Sequence, residues 1–442
     1  MDKQWTLHIE NLAKIESADV QLSPLMCFVG DNNSGKSYLM SLLWGILTLG
    51  KDIFPKSPSD SKTYKKCEAW LKDHVGKTTE FEAETLDIYI QWFNELLAAN
   101  RKYILKRIFN YDVEADIIEI CAYHREKKLE LLWEPEGQRY SVGTTFLKFP
   151  EQEEYTREQL LRMNSYICWN ILMEGISAPL FTPIVKGRRM GEPVYLPASR
   201  TGFMLTFQQL VDTSLRQSFS PEFEGNTSAL TLPYVDFLQL VTKFETKAKL
   251  KKTSEWAANF IETEMTHGKV VVKKTVLPEI MYKPDGTEHA IPLYVSSSIV
   301  TEITPLLLLF KSNIDFKSLI IEEPEAHLHP ALQQQMARLL INLVNQGMPV
   351  WITTHSDTII QHINNMIMLK NNPLADTLCA KYGYVQNDSL DFQNVSMYQF
   401  DLNNHNKSTL RKLQSTKYGF EVPTFNSSIE KITNEVYDFQ EN

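Results

Sequence analysis

Cysteine is scarce in this chain and unpaired by pattern. Cys27, Cys67, Cys121, Cys168 and Cys379 are scattered and make no C-x-x-C pair. That weighs against structural zinc and a disulfide framework, and it suits a reducing compartment. No apolar run reaches the roughly 20 residues that a membrane helix needs. The opening MDKQWTLHIENLAK lacks the basic-then-apolar order of a secretion signal, so a cytoplasmic protein with no membrane segment is the expectation. Internal repeats, low-complexity tracts and long heptad runs are missing, and with them any coiled-coil arm. An excess of positive charge is missing as well. A formal net charge of −9 argues against nucleic-acid binding through the global field. Local basic clusters at 101–107, 186–189 and 243–252 read either as solvated surface or as a nucleic-acid footprint.

What is present is the composition of an ordinary globular protein, with 43% hydrophobic and 22% charged residues. A length of 442 residues exceeds what one compact core serves, so two lobes or a core with a large insertion are expected. WTLHIENLAKI and ADVQL alternate as edge or hairpin strands, and LMCFVG reads as a short buried strand. CEAWLKDHV and TLDIYIQWFNELLAANRKYILKRIF carry helical spacing, and the aromatic stripe in the second reads as core or a helical-hairpin interface. Strands follow at DIIEICAYH and KLELLWEP, then a helix at TREQLLRMNSYICWNILMEGI. PVYLPASRTGF reads as a strand running into a turn, 204–265 as mostly helical, and 268–295 as a hairpin turning at PDGT. From 296 to 370 the order is helix, strand, helix, strand, a unit of parallel-sheet length. In its second helix Leu332, Met336, Leu339 and Leu343 share a face, with Pro330 in the first turn and Gly347 at the end.

Two motifs carry chemistry. GDNNSGKS, residues 30–37, fits G-x-x-x-x-G-K-[ST] between a short apolar strand and a helical run. Gly30 and Gly35 let the backbone curl so that successive N–H groups point at phosphate oxygens, and the helix beginning near Lys36 adds its positive end. Lys36 supplies a point charge to the β- and γ-phosphates, and the Ser37 hydroxyl can ligate magnesium. Far downstream, LIIEEPEAHLHP ends an apolar run on Glu322 and Glu323. Adjacent carboxylates at a buried strand end repel, and desolvation raises the cost. The pairing is sensible if Glu322 holds a magnesium ion and Glu323 polarises the water that attacks the γ-phosphate.

GDNNSGKS, LIIEEPEAHLHP and VWITTHSDTII together resemble an ABC-type ATPase of the SMC/RecF/OLD branch, and YLPASRTGFM and LTLPYVDFL are similar to stand-alone ATPases of bacterial anti-phage systems of the PARIS and Septu types. The likeness covers about 1–50 and 290–370, and more loosely 190–240. It implies an α/β fold with a P-loop ABC-type core, a mixed sheet flanked by helices, and a largely helical insertion. Residues 1–50 and 290–442 would assemble the core, 51–110 the helical insertion, and 111–289 a remaining lobe offering a partner or sensing surface. Gly30, Asp31, Asn32, Asn33, Ser34, Gly35, Lys36 and Ser37 would form the Walker A loop around ATP and Mg2+. Glu322 would be the Walker B carboxylate, Glu323 the catalytic glutamate, AHLH (326–329) the D-loop and His355 the switch histidine. The usual L-S-G-G-[QE] signature is replaced by Ser296, Ser297 and Ser298 with Glu302 beyond. Ser297 and Ser298 would reach the γ-phosphate of the opposite subunit. No Q-loop glutamine stands out.

Some residues keep two readings. His327 and His329 fit a metal or a D-loop and helix cap. Arg200 fits a phosphate or partner contact, or a structural salt bridge. The resemblance implies a homodimer closing over two nucleotides and acting as a switch, with an effector nuclease or toxin supplied in trans and a nucleic-acid or phage-derived trigger. A DNA-associated SMC/RecF-like repair ATPase or an OLD-like nuclease component is the alternative. No D-x-D pair follows His355, however, and NDSLDF at 387–392 has the wrong spacing for a TOPRIM nuclease. The early insertion and the EEPEAHLHP form weigh against a transporter subunit.

Overall fold

The computed structural model describes residues 3–149, 152, 154–185, 188–218, 230–246, 249–273, 277–312 and 314–440. Lys186 and Gly187 of one basic cluster, residues 247–248 of another, and 225–229 of the expected helix interruption lie outside the described residues. The chain folds as two compact units. One comprises Met1–Leu22, Ser41–Val194 and Asp315–Ser318; the other comprises Ser23–Met40, Tyr195–Ile314 and Leu319–Asn442.

The first unit opens with β1 (Lys3–Leu12) and β2 (Ile15–Gln21), an antiparallel hairpin closed by the Leu12–Ile15 pair. Alternation along β1 buries Trp5, Leu7 and Ile9 on one face, as a period of two requires. The chain then gives β3 (Leu25–Gly30) and the first five residues of α1 (Lys36–Leu49) to the second unit.

Returning to the first unit, it forms α2 (Lys62–His74), β4 (Thr79–Glu80), α3 (Ala83–Phe109), β5 (Ile117–Arg125), β6 (Glu130–Glu134), β7 (Arg139–Val142), β8 (Thr145–Lys148) and α4 (Arg157–Met173), then the short pair β9 (Ile184–Val185) and β10 (Arg188–Arg189). β5 pairs antiparallel with β1, and β4, β6, β7 and β8 make a second antiparallel sheet. α4 starts on a capping box in which Thr156 and Gln159 satisfy each other's backbone N–H. The stripe Tyr89, Trp92, Phe93 and Leu97 of α3 is core. There Tyr64, Trp92, Phe93 and Trp169 pack ring against ring, and the Tyr89 hydroxyl donates to Asn164 Oδ1 at 2.7 Å.

In the second unit come β11 (Val194–Leu196, its last two residues), α5 (Arg200–Ser218), α6 (Leu232–Val241), α7 (Lys252–Phe260), the sheet of β12 (Gly268–Lys273), β13 (Glu279–Pro284) and β14 (Ile291–Pro292), then α8 (Ser298–Lys311), β15 (Leu319–Glu322), α9 (Pro330–Asn345), β16 (Val350–Thr353), α10 (Asp357–Lys370), β17 (Val395–Leu402) and β18 (Ser408–Lys412). Its main sheet runs β11-β15-β16-β3-β17-β18. β15, β16, β3 and β17 are parallel, and β18 turns back antiparallel. Every residue of β3, β15 and β16 is buried, as central strands covered on both faces must be. The register sets Glu322, Thr353, Phe28 and Tyr398 in one row across four strands. The carboxyl ends of β15, β16 and β3 thus open on one edge, where parallel sheets bind ligands.

PDGT is a turn, with Thr287 N–H donating to Pro284 O at 3.3 Å, and it joins β13 to β14. One expectation is refined: the segment before the turn is not one strand but β12 and β13, which pair antiparallel. After residue 370, β17 is the parallel neighbour of β3.

α10 carries a group that titrates against the fold. His362 is 3% exposed and packs its ring edge-on to Tyr384 at 5.9 Å. Burial, and then the Arg338 guanidinium, push its imidazole down from 6.5 to about 4, against a weaker pull from Asp388. The unfolded chain takes up this proton first, so the neutral imidazole contributes stability above about pH 6.5 that is lost as pH falls toward 4. The loss is at most about 3 kcal/mol, from 1.36 kcal/mol per pH unit. Denaturant melts across this range are expected to show that His362→Gln removes this part of the acid slope. Parallel slopes in variant and wild type would refute it.

Candidate nucleotide site

The loop between β3 and α1 is built by backbone geometry. Gly30 has φ +141°, and a Cβ there would lie 2.9 Å from Phe400 Cβ and 3.0 Å from Phe400 O. Gly35 has φ +105° and Asn33 φ +60°, conformations that glycine and asparagine take most cheaply. The Ser408 hydroxyl, at the start of β18, donates to Ser34 O at 2.6 Å and ties the loop down. Lys36, 7% exposed, folds back so that Nζ donates to Asp31 O at 2.7 Å and Gly30 O at 3.0 Å. Asn32 and Ser37 are exposed, with Ser37 in the first turn of α1, where orphan N–H groups and the helix dipole favour anions.

Across β16 lies the acidic pair. Glu322 ends β15 at 1% exposure. Its Oε2 accepts the Tyr234 hydroxyl at 3.1 Å and Ala198 N–H at 3.2 Å, while Oε1 is buried with no hydrogen-bond partner. Glu323 leaves the strand at φ +46°, and its N–H donates to Thr353 O at 2.9 Å. Burial pushes the Lys36 ammonium below its ordinary value, against the opposing pull of Glu323, Asp31, Glu322 and Glu325 in that order. Lysine and carboxylates therefore form one electrostatic cluster.

Arg200 takes the structural of its two readings. It is 3% exposed and ion-paired with Glu302 at 2.7 Å. Nη1 donates to Glu322 O at 2.6 Å and Pro197 O at 3.0 Å, and Nη2 donates to Glu323 O at 3.0 Å. Burial lowers its guanidinium, opposed first by Glu302. Glu302 also accepts Thr201 N–H at 2.9 Å and its hydroxyl at 2.6 Å.

His355 follows β16, and its N–H donates to Glu325 Oε1 at 2.6 Å. Burial and the nearby Lys36 push its imidazole below the ordinary value, so the ring is neutral at pH 7. Burial raises the Glu325 carboxyl, opposed by this backbone hydrogen bond. His329 caps α9, its Nδ1 facing Ala331 N–H at 3.4 Å, and His327 stands exposed at φ +59°. Among the described residues no group of three or more His, Cys, Asp or Glu could hold a metal ion. Ser297 caps α8 by accepting Val300 N–H at 3.4 Å, and Ser297 and Ser298 are both exposed. The lysine and the acidic pair come together in this unit, whereas the serines face solvent.

Sequence reasoning passes over Tyr234, Glu325 and Ser408. The tyrosine sits inside LTLPYVDFL and Glu325 two residues beyond the pair, so their neighbourhoods carried a signal. Ser408 carried none.

Residues 5–158 and 206–360 match the AAA ATPase domain family. The chain belongs to that family. This AAA ATPase has similarity to solved structures as well. One is the SMC head from Thermotoga maritima, at 10% identity and TM-score 0.34, covering 94% of this chain and 100% of that one. Others are an SmcHead bound to the C-winged helix domain of ScpA (12%, 0.36, covering 93% and 98%) and an Smc head with an extended coiled coil bound to the C-terminal domain of ScpA derived from Pyrococcus furiosus (12%, 0.34, covering 98% and 98%). No curated protein matches. Among the described residues no helix is long and apolar enough to cross a membrane.

The close approach at Gly30 makes a sharp expectation. Gly30→Ala must strain φ and displace Phe400, at a cost of about 1–3 kcal/mol for the strain alone. Denaturant melts should register that loss, and titration with a fluorescent nucleotide should show binding abolished; wild-type values in both would contradict the loop geometry described.

Proposed function

We propose that this ATPase binds ATP with magnesium at the loop of residues 30–37 and hydrolyses it with Glu323 as general base, as a nucleotide-dependent dimerisation switch of the ABC type. The observation that carries the proposal is the single electrostatic cluster of Lys36, Glu322 and Glu323 beyond the carboxyl ends of β3 and β15, parallel strands on either side of β16. Gly30, Asn32, Asn33, Ser34 and Gly35 would present N–H groups to the phosphates, and Lys36 would exchange its loop carbonyls for phosphate oxygens.

Ser37 and Glu322 would hold the magnesium ion. The donors fit, because Glu322 Oε1 is a buried carboxylate oxygen without a hydrogen-bond partner. Magnesium prefers oxygen ligands, keeps water, and is held by one or two carboxylates plus phosphates rather than by a protein cage. Bound there, it would neutralise phosphate charge. Glu323 would orient the attacking water and take its proton. Neutral His355 would offer a ring N–H toward the γ-phosphate.

Ser297 and Ser298, exposed at the head of α8, would meet the nucleotide of a second copy, so that two chains enclose two nucleotides. The functional core in this reading is residues 1–50 with 290–442. It is enlarged by Arg200 and Tyr234 from the 111–289 lobe, because both bind the Glu322 segment. The 51–110 insertion and the rest of the lobe would serve as a trigger-sensing or partner surface. The residue pattern further supports a place as sensor in an anti-phage system in the cytoplasm, controlling an effector in trans.

Glu323→Gln tests the core of this reading. The variant should bind ATP as the wild type does, turn over at least about 100-fold more slowly, and elute as a dimer with ATP on gel filtration. Normal turnover would remove Glu323 from the base role, and a monomer under ATP would remove the switch.

A further inference from the structure

Glu323 occupies a backbone conformation that a glutamate does not choose. Its φ of +46° is in the left-handed region, which non-glycine side chains disfavour. Pro324 follows, and a residue before proline is confined further, to extended backbone. Strain of this kind persists only where surrounding contacts over-determine it. On one side Glu323 N–H is held by Thr353 O. On the other, Ala326 N–H donates to Glu323 O at 3.0 Å, and one guanidinium ties the carbonyls of Glu322 and Glu323 together. That guanidinium is aimed in turn by Glu302, in the second turn of α8.

α8 is an unusual anchor. Its head is exposed at Ser297 and Ser298. Pro305 stands inside it, which removes one ladder hydrogen bond and marks where a helix bends. Thr301 and Thr304 turn their hydroxyls back to Ser297 O at 3.2 Å and Val300 O at 2.7 Å. Ser298 and Glu302 thus share the segment before the proline.

We infer that the Arg200–Glu302 ion pair is the link through which the head of α8 sets the position of Glu323. Arg200 is a positioning residue: it touches no reacting atom, but it holds the strained peptide that aims the carboxylate. A shift of the α8 head moves Glu302, Arg200 follows its partner, and the peptide from Glu322 to Pro324 either keeps or loses its left-handed turn. An event at the exposed serines would in this way switch the base on or off within the same chain. The inference rests on the reading of Glu323 as the base.

Arg200→Lys keeps a charge for Glu302 but, with three N–H donors, cannot hold three carbonyls and a carboxylate at once. Its kcat is expected to fall about 100-fold, as misplacement by an ångström does, with the Kd for a fluorescent ATP analogue within about threefold of wild type. Glu302→Gln, which keeps an acceptor without the charge, should fall in the same direction but by less, about tenfold, and it carries the test if Arg200→Lys does not fold. Hydrogen exchange at 322–326 should quicken in both variants, a readout that needs no turnover. Unchanged kcat in a folded variant would overturn the link. So would a Kd that weakens in step with kcat, which would make Arg200 a ligand contact. If Glu323→Gln retains turnover while exchange still quickens, the base assignment fails and the positioning contact stands.

Discussion

Two carboxylates at the end of a buried strand set the terms for the second unit. Glu322 has almost no solvent, and Glu323 follows it directly. Removing even one such ion from water costs several kcal/mol after relaxation, and adjacency adds repulsion. Hydrogen bonds offset part of this cost. Tyr234 and Ala198 N–H give Glu322 Oε2 two hydrogen bonds, each contributing about 1.5–3 kcal/mol because the acceptor is charged. Arg200 lies beside the pair but spends its donors on carbonyl oxygens and its charge on Glu302. Glu322 Oε1 is therefore left buried without a hydrogen-bond partner, an oxygen that a full salt bridge from Arg200 would have taken up.

The sheet order serves the same end. β16 lies between β3 and β15, so the lysine loop and the acidic pair are separated by two strand spacings, about 10 Å. That spacing is close to the reach of a phosphate chain with its metal. Lys36 rests on carbonyls of its own loop, and in the proposed reading a nucleotide exchanges those weak neutral acceptors for anionic ones. A direct Lys36–Glu322 bridge would have to be broken before any ligand could enter.

Much of this was legible in the sequence because it is local. The lysine loop needs glycine at fixed spacing, and φ of +141° and +105° at Gly30 and Gly35 explain why. The hydrophobic runs of β3, β15 and β16, the caps of α4 and α9, and the hairpin of β1 and β2 are each specified within a few residues. What escaped is tertiary. Ser408 braces Ser34 across 374 positions, and a lone serine in NNHNKS has no signature. β17 completes the flank of β3, yet VSMYQFDL carries no motif and reads as any apolar strand. Arg200 was visible in PASR, but both its readings were open until Glu302 was seen within 2.7 Å. The boundary between the units has no local signal either: Met1–Leu22 is assigned to one unit and Ser23–Met40 to the other.

The conformation of Glu323 shows the limit most clearly. The doublet and its proline name the residue, but local preference points the wrong way, since proline pushes its predecessor toward extended backbone. Holding a glutamate left-handed costs about 1–3 kcal/mol, and two charge-assisted hydrogen bonds from one arginine are together worth at least as much. Thr353 O and Ala326 N–H add their own bonds, so the contacts outweigh the strain while Arg200 stays in place. The strain at Glu323 makes the position of the carboxylate that we propose as the base depend on a contact from 123 positions away.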